Sequence, residues 1–321
     1  MTAGPEDIAE AVAHLRQGGL VAFPTETVYG LGADAFDAAA VARVFELKGR
    51  PATNPLIVHV SDEAMARGVV GEWTRDAAIL AKAFWPGPLT IVLPKADRVP
   101  AIVTAGGGSV GVRCPDHLVT LSLLEAFGPL VGPSANPSGR VSPTTAAHVR
   151  ASFSPEQVMV LDGGPCRAGI ESTVVSLVEA TPRVLRPGVV SAEELSAVLK
   201  RPVMPHTPGE VATGAAMSPG MLESHYSPAT PAKLVDRKEI EAAMRSGTPA
   251  VAAIVFEPLV VATPHAVILM PRSPEQYAAR LYAALREADE LAPGVILIER
   301  PPTSGRVWEA IADRLSRAAS R

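Results

Sequence analysis

Apolar positions along this chain follow two rhythms, and the rhythms alternate. Ile8, Val12 and Leu15 share one face of a helix predicted over residues 5–17, with Pro5 suited to its first position and Glu6 and Asp7 matched to its dipole. Gly18-Gly19 ends it. Residues 20–23 are a short apolar run suited to a buried strand, which breaks at Pro24 into Thr25-Glu26-Thr27 and then Val28-Tyr29-Gly30-Leu31-Gly32. Helical spacing covers 37–47. Lys48-Gly49-Arg50-Pro51 and Asn54-Pro55 then lead into a second strand, 56–60, which carries His59. Ser61-Asp62-Glu63 starts a further helix.

The alternation continues with a helix over 74–84, stopped by Trp85-Pro86-Gly87-Pro88, and a strand over 89–93. A glycine-rich loop at 105–108 precedes a strand over 110–112 that ends at Arg113. A helix follows over 116–127, with Asp116 as its cap, and then a short strand at 130–131. The polar turn 132–139 is of the kind that exposes backbone amides. After it come a helix over 144–152, strands over 158–161, 173–177 and 183–185, and a helix over 191–200 capped by Ser191. Prolines at 202, 205, 208, 219, 228 and 231 then mark an extended linker. Beyond it the alternation resumes compactly: strands over 233–235, 251–256, 266–270 and 295–298, with helices over 239–245, 274–291 and from 307 onward. Strands alternating with helices predict an α/β protein, and 321 residues suffice for two domains.

Composition narrows the partners. Apolar residues make up 47% and charged residues 19%, as in ordinary globular proteins, and a net charge of −4 exerts no general pull toward nucleic acid or membrane. No apolar run reaches membrane-span length, and the N-terminal stretch has no signal-peptide pattern, so a cytoplasmic protein is expected. Cys114 and Cys166 are the only cysteines, too few for a disulfide framework or a cysteine-rich zinc site. No stretch matches a P-loop, a dinucleotide fingerprint, a zinc-protease helix or a nucleophile elbow, and nothing local would activate Cys114 as a nucleophile.

What remains is a set of polar residues at strand ends. Lys48 and Arg50 close a helix, Arg113 ends a strand, and Ser134, Asn136 and Ser142 occupy a turn after another. Glu171-Ser172-Thr173 enters a strand and Arg186-Pro187-Gly188 leaves one. Singly, each reads as a cap or a surface group. Together they predict a cationic, hydroxyl-rich cleft for an anionic ligand.

The ordered motifs Pro24-Thr-Glu-Thr-Val-Tyr-Gly-Leu31, Lys48-x-Arg50-Pro51, Asn54-Pro-Leu56, Trp85-Pro-Gly-Pro-Leu-Thr90, Val112-Arg113, Pro133-Ser-Ala-Asn136, Glu171-Ser-Thr173 and Arg186-Pro-Gly188 resemble those of the YrdC family. Ser218-Pro-Gly-Met221 and His225-Tyr-Ser-Pro228 resemble the longer, two-domain threonylcarbamoyl-AMP synthases. The resemblance implies a YrdC-like twisted mixed sheet flanked by helices over 1–201, a proline-rich lid over 202–232 and a small Rossmann-like α/β domain over 233–321.

It also implies a nucleotidyltransferase that converts L-threonine, bicarbonate and ATP, with Mg²⁺, into threonylcarbamoyl-AMP and pyrophosphate. The product would serve the transferase machinery that modifies adenosine 37 of tRNA. Residue by residue, the resemblance places threonine with Thr27, His59, Arg113, Gly132 and Ser172. It places ATP with Arg50, Asn54, Ser109, Ser134, Asn136, Ser142, Arg186 and Tyr226, and makes Lys48 and Arg50 the catalytic cations. Glu26 stands where aspartate is common in the family, a change expected to matter little. A monomer with at most weak tRNA contact is expected. The alternative is a YrdC-like RNA-binding module without synthase activity, against which stand the absence of a basic run or an aromatic stacking set.

Overall fold

A computed structural model describes residues 2–207, 226–246, 249–259, 265–302 and 305–320. The described chain forms two compact units. The first takes in residues 2–138, 143–167 and 171–207; the second takes in 139–142, 168–170 and 226–320. The Ser218–Met221 motif, and His225 of the motif that follows it, lie outside the described residues.

The first unit is built on a nine-stranded mixed sheet. In chain order its strands are β1 (Val21–Phe23), β2 (Gly30–Asp34), β3 (Ile57–His59), β4 (Leu89–Pro94), β5 (Ser109–Arg113), β6 (Leu130–Val131), β7 (Met159–Val160), β8 (Thr173–Ser176) and β9 (Arg183–Arg186), arranged β7-β1-β2-β6-β3-β5-β4-β8-β9. The helices are α1 (Pro5–Arg16), α2 (Ala38–Lys48), α3 (Glu63–Arg67), α4 (Arg75–Phe84), α5 (Leu118–Phe127), α6 (Ala146–Arg150) and α7 (Ala192–Leu199). Their starts follow capping chemistry. Asp37, Asp62, Thr74 and Thr145 each accept a backbone N–H of the following turn, and Ser191 with Glu194 forms a capping box. One core covers the sheet face formed by Leu31, Val58, Ile91, Val112 and Val175, and includes Val41 and Val44 of α2 and Leu80 of α4. A second joins Val12 and Leu15 of α1 to Leu123 and Leu124 of α5 and to Val21 and Phe23 of β1.

Two local expectations are corrected. The sequence reading left 28–32 outside any strand, yet Gly30–Asp34 pairs antiparallel with β1, Phe23 opposite Gly30. The glycines that hide the strand are required by it: a Cβ on Gly30 would lie 2.6 Å from the Phe23 ring. Asp116 does not cap α5, whose first turn follows His117 without a side-chain cap. Its carboxylate pairs instead with Arg167 at 2.6 Å, and its backbone N–H donates to Glu26 Oε2.

In the second unit β10 (Ala232–Val235), β11 (Val251–Val255), β12 (Ala266–Leu269) and β13 (Val295–Glu299) form a wholly parallel sheet in the order β10-β13-β11-β12. It is accompanied by α8 (Arg237–Ser246), α9 (Pro274–Glu290) and α10 (Arg306–Ala318). Parallel strands need helical crossovers, as the alternation of the sequence predicts.

Candidate active site

Strand alternation builds one polar face in the first unit. Val58, Ile91, Val110 and Val112 point into the main core. Their neighbours His59, Thr90, Ser109 and Arg113 therefore point to the opposite face of the sheet. Parallel pairing of β3 with β5 sets His59 beside Arg113. The apolar floor of that face is Ile57, Val92, Val174 and Leu185.

Arg113 is buried, its Nη2 2.8 Å from Glu26 Oε2 in an ion pair without hydrogen-bond alignment, and its Nε donates to Gly87 O at 3.3 Å. His59 is buried edge-on to Phe23, with ring centroids 5.2 Å apart, and its Nδ1 has no partner. Burial, and then the Arg113 charge, hold the imidazole pKa well below its ordinary value, so His59 is neutral at pH 7. Gly132 is required at its position: a Cβ there would lie 2.5 Å from His59 Nδ1 and 2.7 Å from Phe23 Cζ. Gly132→Ala is expected to cost about 1–3 kcal/mol through overpacking against His59 and Phe23, as denaturant unfolding would report. Thr27 is fully buried, its hydroxyl 2.9 Å from that of Thr25. Ser172 shares a hydrogen bond with Thr90 at 2.8 Å, and the Arg186 guanidinium donates to both the carbonyl and the hydroxyl of Ser172.

Part of the expected nucleotide set, Arg50, Asn54, Ser134 and Asn136, gathers at the end of α2. Gly49 closes that helix in the left-handed conformation, φ 59°. Lys48, which the resemblance makes a catalytic cation, is buried and spends two of its three donors on Ser134 O (2.6 Å) and Asn136 O (2.5 Å). Burial, with the nearby Arg50 charge, lowers its pKa well below the usual lysine value. Lys48 thus ties α2 to the 132–138 turn. That turn is also held by Ala135 N donating to Tyr29 O and Ser138 N donating to Lys48 O. Arg50 donates to the carbonyls of Asn54 (3.0 Å) and Pro55 (2.8 Å), and the buried Asn54 Nδ2 has no partner. Ser109 is buried at the start of β5.

Ser142 and Tyr226 belong to the second unit. Within it Arg140 bridges to Ser227, whose N–H donates to Gly139 O at 2.8 Å. The Tyr226 ring stacks on Tyr282 at 5.6 Å, and its backbone holds a positive φ of 62°.

The two thiols are buried. Burial pushes both Cys114 and Cys166 up to about 12, so both stay protonated at neutral pH. Three residues of the site had no assigned role in the sequence reading. Thr25 builds the turn, Glu26 meets Arg113 and Thr90 meets Ser172. All three sit inside quoted motifs, and the distinctiveness of those motifs was the only signal for them.

Family models match this chain over residues 13–188, by a model of the Sua5–YciO–YrdC group described as "Telomere recombination", and over 190–320, by a model described as "Threonylcarbamoyl-AMP synthase, C-terminal domain". The chain belongs to the two-domain threonylcarbamoyl-AMP synthase family. It is 40% identical over 320 residues to the threonylcarbamoyl-AMP synthase of Pyrococcus abyssi, covering 96% of this chain and 93% of that one. To the Bacillus subtilis synthase it is 39% identical, covering 97% and 92%. A crystal structure of P. abyssi Sua5 complexed with L-threonine superposes with a TM-score of 0.90 at 40% identity, over 97% of this chain and 94% of that chain. Membership in this family accounts for the mixed sheet of the first unit and for the parallel sheet of the second.

Proposed function

We infer that this chain is an L-threonylcarbamoyladenylate synthase, a nucleotidyltransferase that makes threonylcarbamoyl-AMP and pyrophosphate from L-threonine, bicarbonate and ATP, for threonylcarbamoylation of tRNA in the cytoplasm. The observation that carries the reading is the buried polar face around Arg113: a guanidinium, the unpartnered imidazole nitrogen of His59 and the Thr27 and Ser172 hydroxyls, in a chain alike over its full length to named synthases. No observation favours the RNA-binding alternative.

In this reading Arg113 takes the threonine carboxylate, and neutral His59 with Thr27 and Ser172 orients the rest of the amino acid. The amine, once neutral, attacks the carbon of bicarbonate, the C–OH bond breaks and water leaves, giving an N-carboxy group. One oxygen of that group then attacks the α-phosphorus of ATP and pyrophosphate leaves. No enzyme nucleophile is needed, in keeping with two protonated thiols. Arg50, Asn54, Ser109, Ser134, Asn136 and Arg186 serve ATP. Lys48 acts by holding the 134–136 carbonyls. The nucleotide set is guanidinium, amide and hydroxyl rather than carboxylate, which suits Mg²⁺ arriving as the ATP complex, its ligands being phosphate oxygens and water. The work of the site is positioning and charge stabilisation.

Purified protein supplied with ATP, Mg²⁺ and bicarbonate should release pyrophosphate only when L-threonine is added, with L-serine a poor replacement. Release indifferent to threonine would end the synthase reading.

A further inference from the structure

The Pro24-Thr-Glu-Thr27 turn is closed by the Thr25 side chain. Thr25 Oγ1 accepts the N–H groups of Thr27 (3.1 Å) and Val28 (3.2 Å) and donates to Val28 O (2.6 Å). So closed, the turn sends Glu26 inward, where its side chain is 5% exposed. One carboxylate oxygen, Oε2, faces Arg113 Nη2 at 2.8 Å and accepts Asp116 N–H at 3.1 Å. The other, Oε1, is buried and has no partner.

Stability does not explain this arrangement. A buried ion pair seldom repays its desolvation, and a buried oxygen left without a donor adds to the cost. Recognition does explain it. An α-amino acid carries a carboxylate and an ammonium on one carbon. A guanidinium and a carboxylate side by side in a buried site form the complementary charge pattern.

We propose that Glu26 is the second half of a zwitterion clamp: Arg113 receives the substrate carboxylate, and Glu26 Oε1 accepts an N–H from the substrate's α-nitrogen. The proposal rests on the synthase reading and adds to it a residue that determines specificity. It also accounts for how the nitrogen stays in place during the reaction. After the nitrogen has lost protons and gained its carboxy group it still keeps one N–H, and the same oxygen accepts it. The clamp restricts the site to free α-amino acids and turns away acids that lack the amine.

The test is calorimetric binding to the full-length protein of two ligands, L-threonine and the matching 2,3-dihydroxybutyrate, in which a hydroxyl replaces the amine. Wild type should prefer threonine. Glu26→Gln, which keeps size and loses charge, should weaken threonine binding by about 10- to 100-fold, the worth of a hydrogen bond between charged groups, and leave the hydroxy acid within about threefold. Equal weakening of both ligands would make Glu26 a support for Arg113 and overturn the clamp, as would threonine binding unchanged in the variant. If Glu26→Gln does not melt cooperatively, Glu26→Asp is measured in its place; it keeps the charge, so threonine should stay preferred, and loss of that preference overturns the clamp. Wild type that binds no threonine would instead remove the synthase reading itself.

Discussion

Arg113→Ala is expected to cut threonine-dependent pyrophosphate release by roughly a hundredfold or more, through two separable effects. The first is loss of the carboxylate anchor. Two charge-assisted hydrogen bonds, each worth about 1.5–3 kcal/mol, correspond to a fall in kcat/KM of roughly a hundredfold to ten-thousandfold. The second is structural. Removing the guanidinium leaves the Glu26 carboxylate buried beside an empty space, and breaking a buried pair in this way costs about 3–5 kcal/mol of stability, visible as a lower denaturant midpoint. Arg113→Lys separates the two effects. It keeps a charge near Glu26 and so most of the stability, but it loses the planar fork, and activity should still fall by about ten- to a hundredfold. An Arg113→Lys enzyme as active as wild type would show that carboxylate recognition lies elsewhere.

Lys48→Met is expected to produce the complementary defect. The methionine stem fills the buried channel, but the hydrogen bonds to Ser134 O and Asn136 O are gone. Two carbonyls losing a donor cost about 1–3 kcal/mol each, offset by no longer burying an ammonium, so global stability should change by less than about 2 kcal/mol. The turn that carries Ser134 and Asn136 loosens, and the KM for ATP should rise by about tenfold or more. Binding of L-threonine measured without ATP should stay within about twofold of wild type, because the Lys48 ammonium bonds Ser134 O and Asn136 O, while His59 and Arg113 lie on β3 and β5 and Ser172 just precedes β8. A Lys48→Met enzyme that loses threonine binding and ATP use together would contradict the division of the site into two halves.

Most of the scaffold was legible in the chain because its signals are local. Asp37, Asp62, Thr74, Thr145 and Ser191 are capping residues placed just before helical spacing, and each caps a helix. The strands that end at His59 and Arg113 are short apolar runs with a polar last residue, which is how a sheet hands a side chain to a site. The parts that escaped are long-range. β2 reads as a glycine-rich turn because its glycines answer to a ring on another strand, Phe23. For Lys48, nothing near it in sequence reveals that its ammonium lies against carbonyls at 134 and 136. Glu26 reads as a conservative exchange in a motif, and only the fold shows its carboxylate against Arg113. In each case the deciding partner is far along the chain, beyond the reach of periodicity or capping rules.

The most direct test of the central claim uses isotopically labelled bicarbonate. Protein, ATP, Mg²⁺, L-threonine and the labelled bicarbonate are combined briefly and the adenylates analysed by mass spectrometry. The synthase account predicts threonylcarbamoyl-AMP that carries the label in its carbamoyl carbon, formed in step with pyrophosphate. Pyrophosphate release with an unlabelled adenylate, such as threonyl-AMP lacking the carbamoyl group, would contradict it.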